Sequence, residues 1–385
     1  MLNFDFYNPT NIIFGKGQIS ELGRLIEKNS RILITYGGKS AQSTGTLQEV
    51  KDALSGYEVH LFGGIEPNPR FETLMKAVAL IKSEKLDFIL AVGGGSVIDG
   101  TKFIAAAVYC EGDPWDMVLS FGQGITKAMP YGAVLTLPAT GSEMNNGGVI
   151  TRDSDKTKLP MMNRLLYPRF SVLDPTKSYT LPTKQIANGV VDAYVHVIEQ
   201  YLTYPVNGHL QDRFSESLLQ TLIEIGPQVI ENPQDYDLQA NLMWCASLAL
   251  NGLIGAGVPQ DWATHMLGHE ITALYNLDHA ETLAVVLPSM LQQNRTSKRE
   301  KLLQYARRVW NIEIADEEKA IDEAIEKTRS FFISLGVKTR LNEYQLGPEV
   351  IEPLLAQLKA HRMTQLGEHN DVTPEVCREV LQLSL

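Results

Sequence analysis

Asp87-Phe-Ile-Leu-Ala-Val92 runs straight into Gly93-Gly94-Gly95-Ser96 and then Val97-Ile-Asp99-Gly-Thr-Lys102. The apolar segment is short, β-branched at its end and closed by glycine, which predicts a strand buried on both faces. Glycines at a strand's carboxyl end let the backbone turn sharply and approach a ligand closely. The helix that opens after them presents unpaired N–H groups and the positive end of its dipole, a combination that suits a pyrophosphate. The pattern is neither Gly-x-Gly-x-x-Gly nor a Gly-Lys-Ser/Thr loop, so a plain tight turn is the competing reading. The order strand, glycine, helix tips the balance toward a nucleotide.

The flanking sequence repeats that order. Short strands are predicted at residues 11–14, 31–36, 58–62, 132–137 and 170–173, with helices near 19–28, up to 55, and over 71–83. Residues 151–158 read as a polar connection. Such alternation predicts βαβ units and a parallel sheet. After Tyr179-Thr-Leu-Pro182 the period changes to helix alone, over roughly 183–202, 211–230, 237–254, 262–274, 296–309, 317–334, 347–360 and 373–383. The expected architecture is an α/β, Rossmann-like nucleotide domain over 1–180, followed by an all-helical metal-binding domain over 181–385. A chain of 385 residues exceeds one ordinary core, which agrees with two domains.

Bulk properties remove several classes of function. A net charge of −11 argues against nucleic acid or an anionic membrane as partner. No apolar run approaches the ~18 residues of a membrane span. The first residues, Met-Leu-Asn-Phe-Asp-Phe, lack the basic and apolar regions of a secretory leader. Cys110, Cys245 and Cys377 are too dispersed for a disulfide framework or a cysteine zinc motif, so reduced, buried thiols and a cytoplasmic location are expected.

The helical half carries a second set of chemistry. Asp192 and His196 stand four apart in Gly189-Val-Val-Asp-Ala-Tyr-Val-His196, one helical turn on one face. His265 and His269 repeat the spacing in Trp262-Ala-Thr-His-Met-Leu-Gly-His269, and His279 follows. One such pair alone is usually a solvated stripe. Here half of the chain's eight histidines cluster among apolar neighbours, where polar groups need partners and one divalent cation would satisfy several. Spacing leaves open which donors share it.

Taken together, Gly93-Gly-Gly-Ser-x2-Asp99-x2-Lys102, Thr140-Gly-Ser-Glu143, Gly189-x2-Asp192-x3-His196-x2-Glu199 and His265-x3-His269-x9-His279 resemble the iron-containing (group III) alcohol dehydrogenases. Asn8-Pro-Thr and Glu66-Pro-Asn-Pro69 extend the resemblance over nearly the whole chain. Thr35-Tyr-Gly-Gly and Leu137-Pro-Ala-Thr-Gly-Ser-Glu point to its bacterial NADPH-dependent aldehyde reductase and butanol dehydrogenase branch. The resemblance implies the two-domain plan shared with dehydroquinate synthase, and a homodimer. It implies Asp192, His196, His265 and His279 as ligands of Zn2+ or Fe2+, with His269 beside the reacting atoms but off the metal. It also implies a cofactor site built from Gly38, Ser40, Asn68, Gly94, Gly95, Ser96, Asp99, Thr136, Leu137, Thr140, Asn145, Lys158, Tyr179 and Leu181. Lys102 either joins that site or only stabilises its helix. The chain departs from the common family pattern Gly-Ala-x-His by reading Trp262-Ala-Thr-His265.

The implied reaction is hydride transfer between NADP(H) and a short to medium aldehyde or alcohol polarised by the metal. His269 would relay the proton, the other reading being a packed core histidine. NADPH is preferred over NADH because Gly37-Gly38-Lys39-Ser40 places no acid after its strand, leaving room for a 2′-phosphate. Competing readings are an NADH-linked butanol or glycerol dehydrogenase, a dehydroquinate synthase and a zinc hydrolase. Few Lys or Arg in 188–280 argue against dehydroquinate synthase, and a hydrolase has no use for the glycine-rich turn.

Overall fold

The computed structural model describes residues 1–38 and 40–385. Strands β1 (Asn11–Phe14), β8 (Phe170–Leu173), β5 (Tyr131–Leu137), β4 (Phe88–Gly94), β2 (Arg31–Tyr36) and β3 (Glu58–Phe62) lie side by side in that order. Every pairing is parallel. The central strands are near-continuous apolar runs because helices cover both faces of a parallel sheet. Ile32–Thr35, Phe88–Gly93 and all of β8 are buried. The chain leaves β2 for the edge at β3, returns past β2 to β4, and continues outward to β5. The winding direction therefore reverses between β2 and β4, and their carboxyl ends border the crevice that such a reversal opens.

The glycine run is not a separate turn. β4 continues through Gly94, and the next helix, Gly95–Ala107, starts on the following residue with no side-chain cap. Close passage is what requires the glycines. A Cβ on Gly94 would stand 3.0 Å from Leu137 Cβ, and one on Gly95 only 2.4 Å from Thr140 Oγ1. Residues 151–158 likewise differ from the expected loop. β6 (Gly147–Arg152) and β7 (Thr157–Met162) form an antiparallel hairpin that pairs the backbone and buries Ile150, Leu159 and Met161.

A helix His279–Gln293 stands where the apolar period was interrupted by Pro288. Its start carries a reciprocal capping box, Asp278 with Glu281, a signal present in the sequence that outweighs the internal proline. The Tyr236–Ala249 helix stops short of 254, and Gly252 beyond it adopts φ 90°. No described helix is long and apolar enough to cross a membrane.

The chain divides into two compact units, but not by one cut at 180. Tyr7–Leu181 is joined by Asn232–Ser247; the other unit comprises Met1–Phe6, Pro182–Glu231 and Leu248–Leu385. Specific contacts hold the crossing segments. Ser178 Oγ donates to Gln239 Oε1 at 2.9 Å, and the Trp244 ring meets Phe14 edge-on. Ser247 Oγ donates to the Glu143 carboxylate, and Leu2 N–H to the Gly257 carbonyl at 2.9 Å.

The helical unit contains a buried ionic cluster. Lys298, with a side chain only 3 % exposed, lies 2.8 Å from Asp261 and 2.6 Å from Glu368, and donates to the Leu202 carbonyl at 2.7 Å. Burial lowers the affinity of this amine for its proton, but the two carboxylates more than restore it. Lys298→Met would leave both acids uncompensated, so a loss of about 3–5 kcal/mol is expected in denaturant unfolding of this unit; an unchanged midpoint would show the cluster to be inert.

Candidate functional site

The Thr183–Tyr201 helix is buried continuously from Gly189 onward, so Asp192 and His196 are carried inside the helical unit. The Ala263–Tyr275 helix brings His265 and His269, and His279 opens the next helix. Three imidazoles then face one oxygen. Nε2 of His196, His265 and His279 lie 3.6, 3.9 and 3.6 Å from Asp192 Oδ1. Asp192, His265 and His279 form a group whose ligand atoms all fall within 4.8 Å of one another; His196 is not in that group, although its Nε2 is as near to Asp192 Oδ1 as that of His279. Asp192 Oδ1 and His265 Nε2 are buried and make no hydrogen bond. Two unsatisfied donor atoms just beyond bonding distance, in a nitrogen-and-oxygen set, fit a shared divalent cation.

Glu199, quoted in the motif but given no part, is the residue that spacing alone passed over. It lies seven residues beyond Asp192 on the same helix face, and its carboxylate bonds His265 Nδ1 and accepts from Thr264 N–H at 2.7 Å. A carboxylate on the far nitrogen of an imidazole sets its tautomer and ring orientation. Burial lowers the proton affinity of His265, but Glu199 and Asp192 on opposite nitrogens raise it to about 9. His196 has less such support, and burial pushes it down to about 4. Burial works against the Asp192 charge as well, yet His196, His265 and His279 hold it well below the usual carboxylate range. His269 is buried beside the group, its ring 5.1 Å from that of His279.

In the α/β unit, most of the residues expected around a cofactor meet at the carboxyl edge of the sheet. Gly38 and Ser40 are exposed beyond β2, and Lys39 lies outside the described residues. Ser96 Oγ accepts from Asn68 N–H at 3.3 Å, which brings that loop to the glycine junction. Leu137 pairs with Gly94, Thr136 precedes it, and Thr140 packs on Gly95. Tyr179 and Leu181 are half-buried on the same edge but beyond β8, two strands from β4.

Four others are engaged inward. Asp99 accepts from Ser142 Oγ at 2.5 Å and Val149 N–H at 2.9 Å. Lys102, fully buried, donates to Asn145 Oδ1 at 2.7 Å and the Gly147 carbonyl at 2.5 Å. Burial pulls that amine down to about 8, against the opposing charges of Asp99 and Glu143. Lys158 is buried on β7 within reach of the Asp99 charge. This network ties the loop after β5 to the helix after β4, so the side chains shape the junction.

Comparison with known proteins agrees with both halves. Residues 9–175 match the model of the iron-containing alcohol dehydrogenase family, and residues 186–384 that of the family's C-terminal region. The NADPH-dependent aldehyde reductase YqhD of Escherichia coli (strain K12) is 56% identical over 384 residues, 99% of each chain. The probable NADH-dependent butanol dehydrogenase 1 of Bacillus subtilis (strain 168) is 39% identical over the full length of both. The crystal structure of E. coli K-12 YqhD superposes with a TM-score of 0.99 at 54% identity, covering 100% of this chain and 99% of that one. This chain belongs to the iron-containing alcohol dehydrogenase family.

Proposed function

We propose that this protein reduces short to medium aldehydes with NADPH, using a divalent ion, Zn2+ or Fe2+, held by Asp192, His196, His265 and His279. The observation that carries the reading is the convergence of three imidazole Nε2 atoms on Asp192 Oδ1, at 3.6–3.9 Å. When bound, the ion supplies a Lewis acid for a carbonyl oxygen and the nicotinamide supplies hydride. Asp192 contributes a negative charge, the imidazoles contribute neutral donors, and Glu199 orients His265. The His279 side chain, 25 % exposed against 6 % for His196 and His265, marks the side open to substrate. His269, next to it, would hold the proton that the alkoxide product takes up.

Gly94, Gly95 and Ser96 open the helix that would face the pyrophosphate, with its uncapped N–H groups as donors. Asn68, Thr136, Leu137 and Thr140 would border the cofactor; Asp99, Lys102, Asn145 and Lys158 would hold the border in place. Gly38 and Ser40 leave space for a 2′-phosphate. The name of the 56% identical E. coli relative supports NADPH and an aldehyde. That of the B. subtilis relative keeps an NADH-linked butanol dehydrogenase as the second reading. A cytoplasmic homodimer, free of membrane and nucleic-acid partners, completes the proposal.

The first test is NADPH and NADH oxidation with a panel of aldehydes before and after chelation. Chelation or Asp192→Ala is expected to slow turnover by roughly three orders of magnitude, the several kcal/mol that Lewis-acid stabilisation contributes. Activity that persists in the variant sinks the assignment. A Cβ at Gly38 would meet nothing within 4 Å, so an acid can be installed there without a clash. Gly38→Asp is expected to move the NADPH/NADH ratio of kcat/KM by about tenfold or more toward NADH, and an unmoved ratio counts against the phosphate site. Gly95→Ala forces Thr140 aside; steady-state kinetics are expected to show a raised KM for NADPH with a smaller change in kcat.

A further inference from the structure

Trp262 holds a backbone conformation that its side chain disfavours. It sits at φ 65°, ψ 4° directly before the Ala263–Tyr275 helix, in the left-handed region that bulky residues avoid. Such strain persists only where the surroundings over-determine it, and both neighbours are pinned. Asp261 donates its N–H to the Glu199 carbonyl at 2.9 Å, accepts from Ala263 N–H at 3.0 Å and pairs with Lys298 at 2.8 Å. Thr264 N–H is held by the Glu199 carboxylate at 2.7 Å. The indole is fixed as well, its Nε1 donating to Gln260 Oε1 at 2.9 Å.

This conformation places the indole against two imidazoles. Its ring meets His265 edge to face, with centroids 5.3 Å apart and planes at 73°. It meets His196 at 6.2 Å and 61°. His196 and His265 lie nearly parallel at 4.7 Å and 14°. Glu199 already orients the His265 ring through its Nδ1, but His196 Nδ1 is buried without a hydrogen bond, so that ring can slide or turn on its neighbour unless a third ring set edge-on to both opposes it.

We propose that Trp262 is a positioning residue: its indole holds the His196–His265 stack in the orientation that turns both Nε2 atoms toward Asp192. The inference rests on the reading of Asp192, His196, His265 and His279 as ligands of a divalent ion. Trp262 supplies no ligand atom and acts only through the two rings it touches.

Glycine suits the left-handed conformation, so Trp262→Gly removes the ring while relaxing the backbone. Stability and ion retention should then part company. Full-length protein is loaded with zinc, mixed with excess chromophoric chelator, and the release rate recorded; the melting temperature of the zinc-free protein is measured alongside. Trp262→Gly is expected to release zinc about tenfold faster or more, with a zinc-free melting temperature within about 2 °C of the parent. Trp262→Phe, which keeps an aromatic edge, is expected to recover most of the retention. Release at the parent rate from Trp262→Gly overturns the proposal. So does a zinc-free melting temperature several degrees lower, because Trp262 would then support the fold and not the rings. If the parent protein holds zinc no better than Asp192→Ala, the ligand assignment itself fails, and the role of Trp262 with it.

Discussion

A carboxylate taken out of water inside an apolar helix has to be compensated, and much of the helical unit is arranged around that requirement. Asp192 is 3 % exposed on a helix buried on every side from Gly189 to Tyr201. Burial alone would drive its proton affinity up, yet the imidazoles of His196, His265 and His279 bring it far down. The same electrostatic demand recurs one layer out. Glu199 needs a partner and finds His265 Nδ1 and Thr264 N–H; Asp261 finds Lys298 and Ala263 N–H. A line of charge-assisted contacts thus runs from Lys298 through Asp261, the start of the Ala263–Tyr275 helix and Glu199 to His265. Rigid donors of this kind are what a metal centre requires, because disorder in one ligand loosens the others.

The α/β unit meets a different constraint, the close approach of one loop to the junction between a strand and the next helix. In the proposed function, backbone N–H groups and not lysine or arginine side chains would face the pyrophosphate there. The N–H groups of an uncapped helix, Gly95–Ala107, stand at the reversal of strand order between β2 and β4. Lys102, expected either to join the cofactor site or only to stabilise its helix, is spent inward on Asn145 and Gly147. Its charge, together with Asp99, fastens the loop after β5 to that helix. The glycines admit the same loop from the other side, because Thr140 and Leu137 occupy the space where their Cβ atoms would be.

The features legible in the sequence were those with a short period. Strands β1, β2, β4 and β5 announce themselves as largely apolar runs closed by glycine or proline, β3 as a short Val-His-Leu-Phe stretch before Gly63 and β8 as a run before Asp174-Pro175, and the change of period near 182 marks the passage to helices. Asp192 with His196, and His265 with His269, are visible as one-turn pairs. Less local features were hidden. The β6–β7 hairpin has Pro160 inside its second strand, and its turn, Asp153-Ser-Asp-Lys156, lacks a strong turn dipeptide. The His279–Gln293 helix was masked by Pro288, although its capping box was readable. Segment 232–247 shows an ordinary helical period, and nothing in that period says that it belongs to the α/β unit, where Gln239, Trp244 and Ser247 pack on strands and loops of residues 7–181.

By itself the sequence determined the inventory: a parallel α/β half with glycines at a strand end, a helical half, and a buried set of one carboxylate and several imidazoles at helical spacing. Only the tertiary structure decided which nitrogens converge on Asp192 Oδ1, which carboxylate steadies His265, and that Asp99 and Lys102 turn inward. It also decided that Trp262 occupies a glycine-like conformation against two imidazoles. The reason is one of range. A helical turn fixes the relation of residues four apart wherever the helix lies, whereas the meeting of side chains from separate helices depends on how those helices pack, and no spacing along the chain encodes that distance.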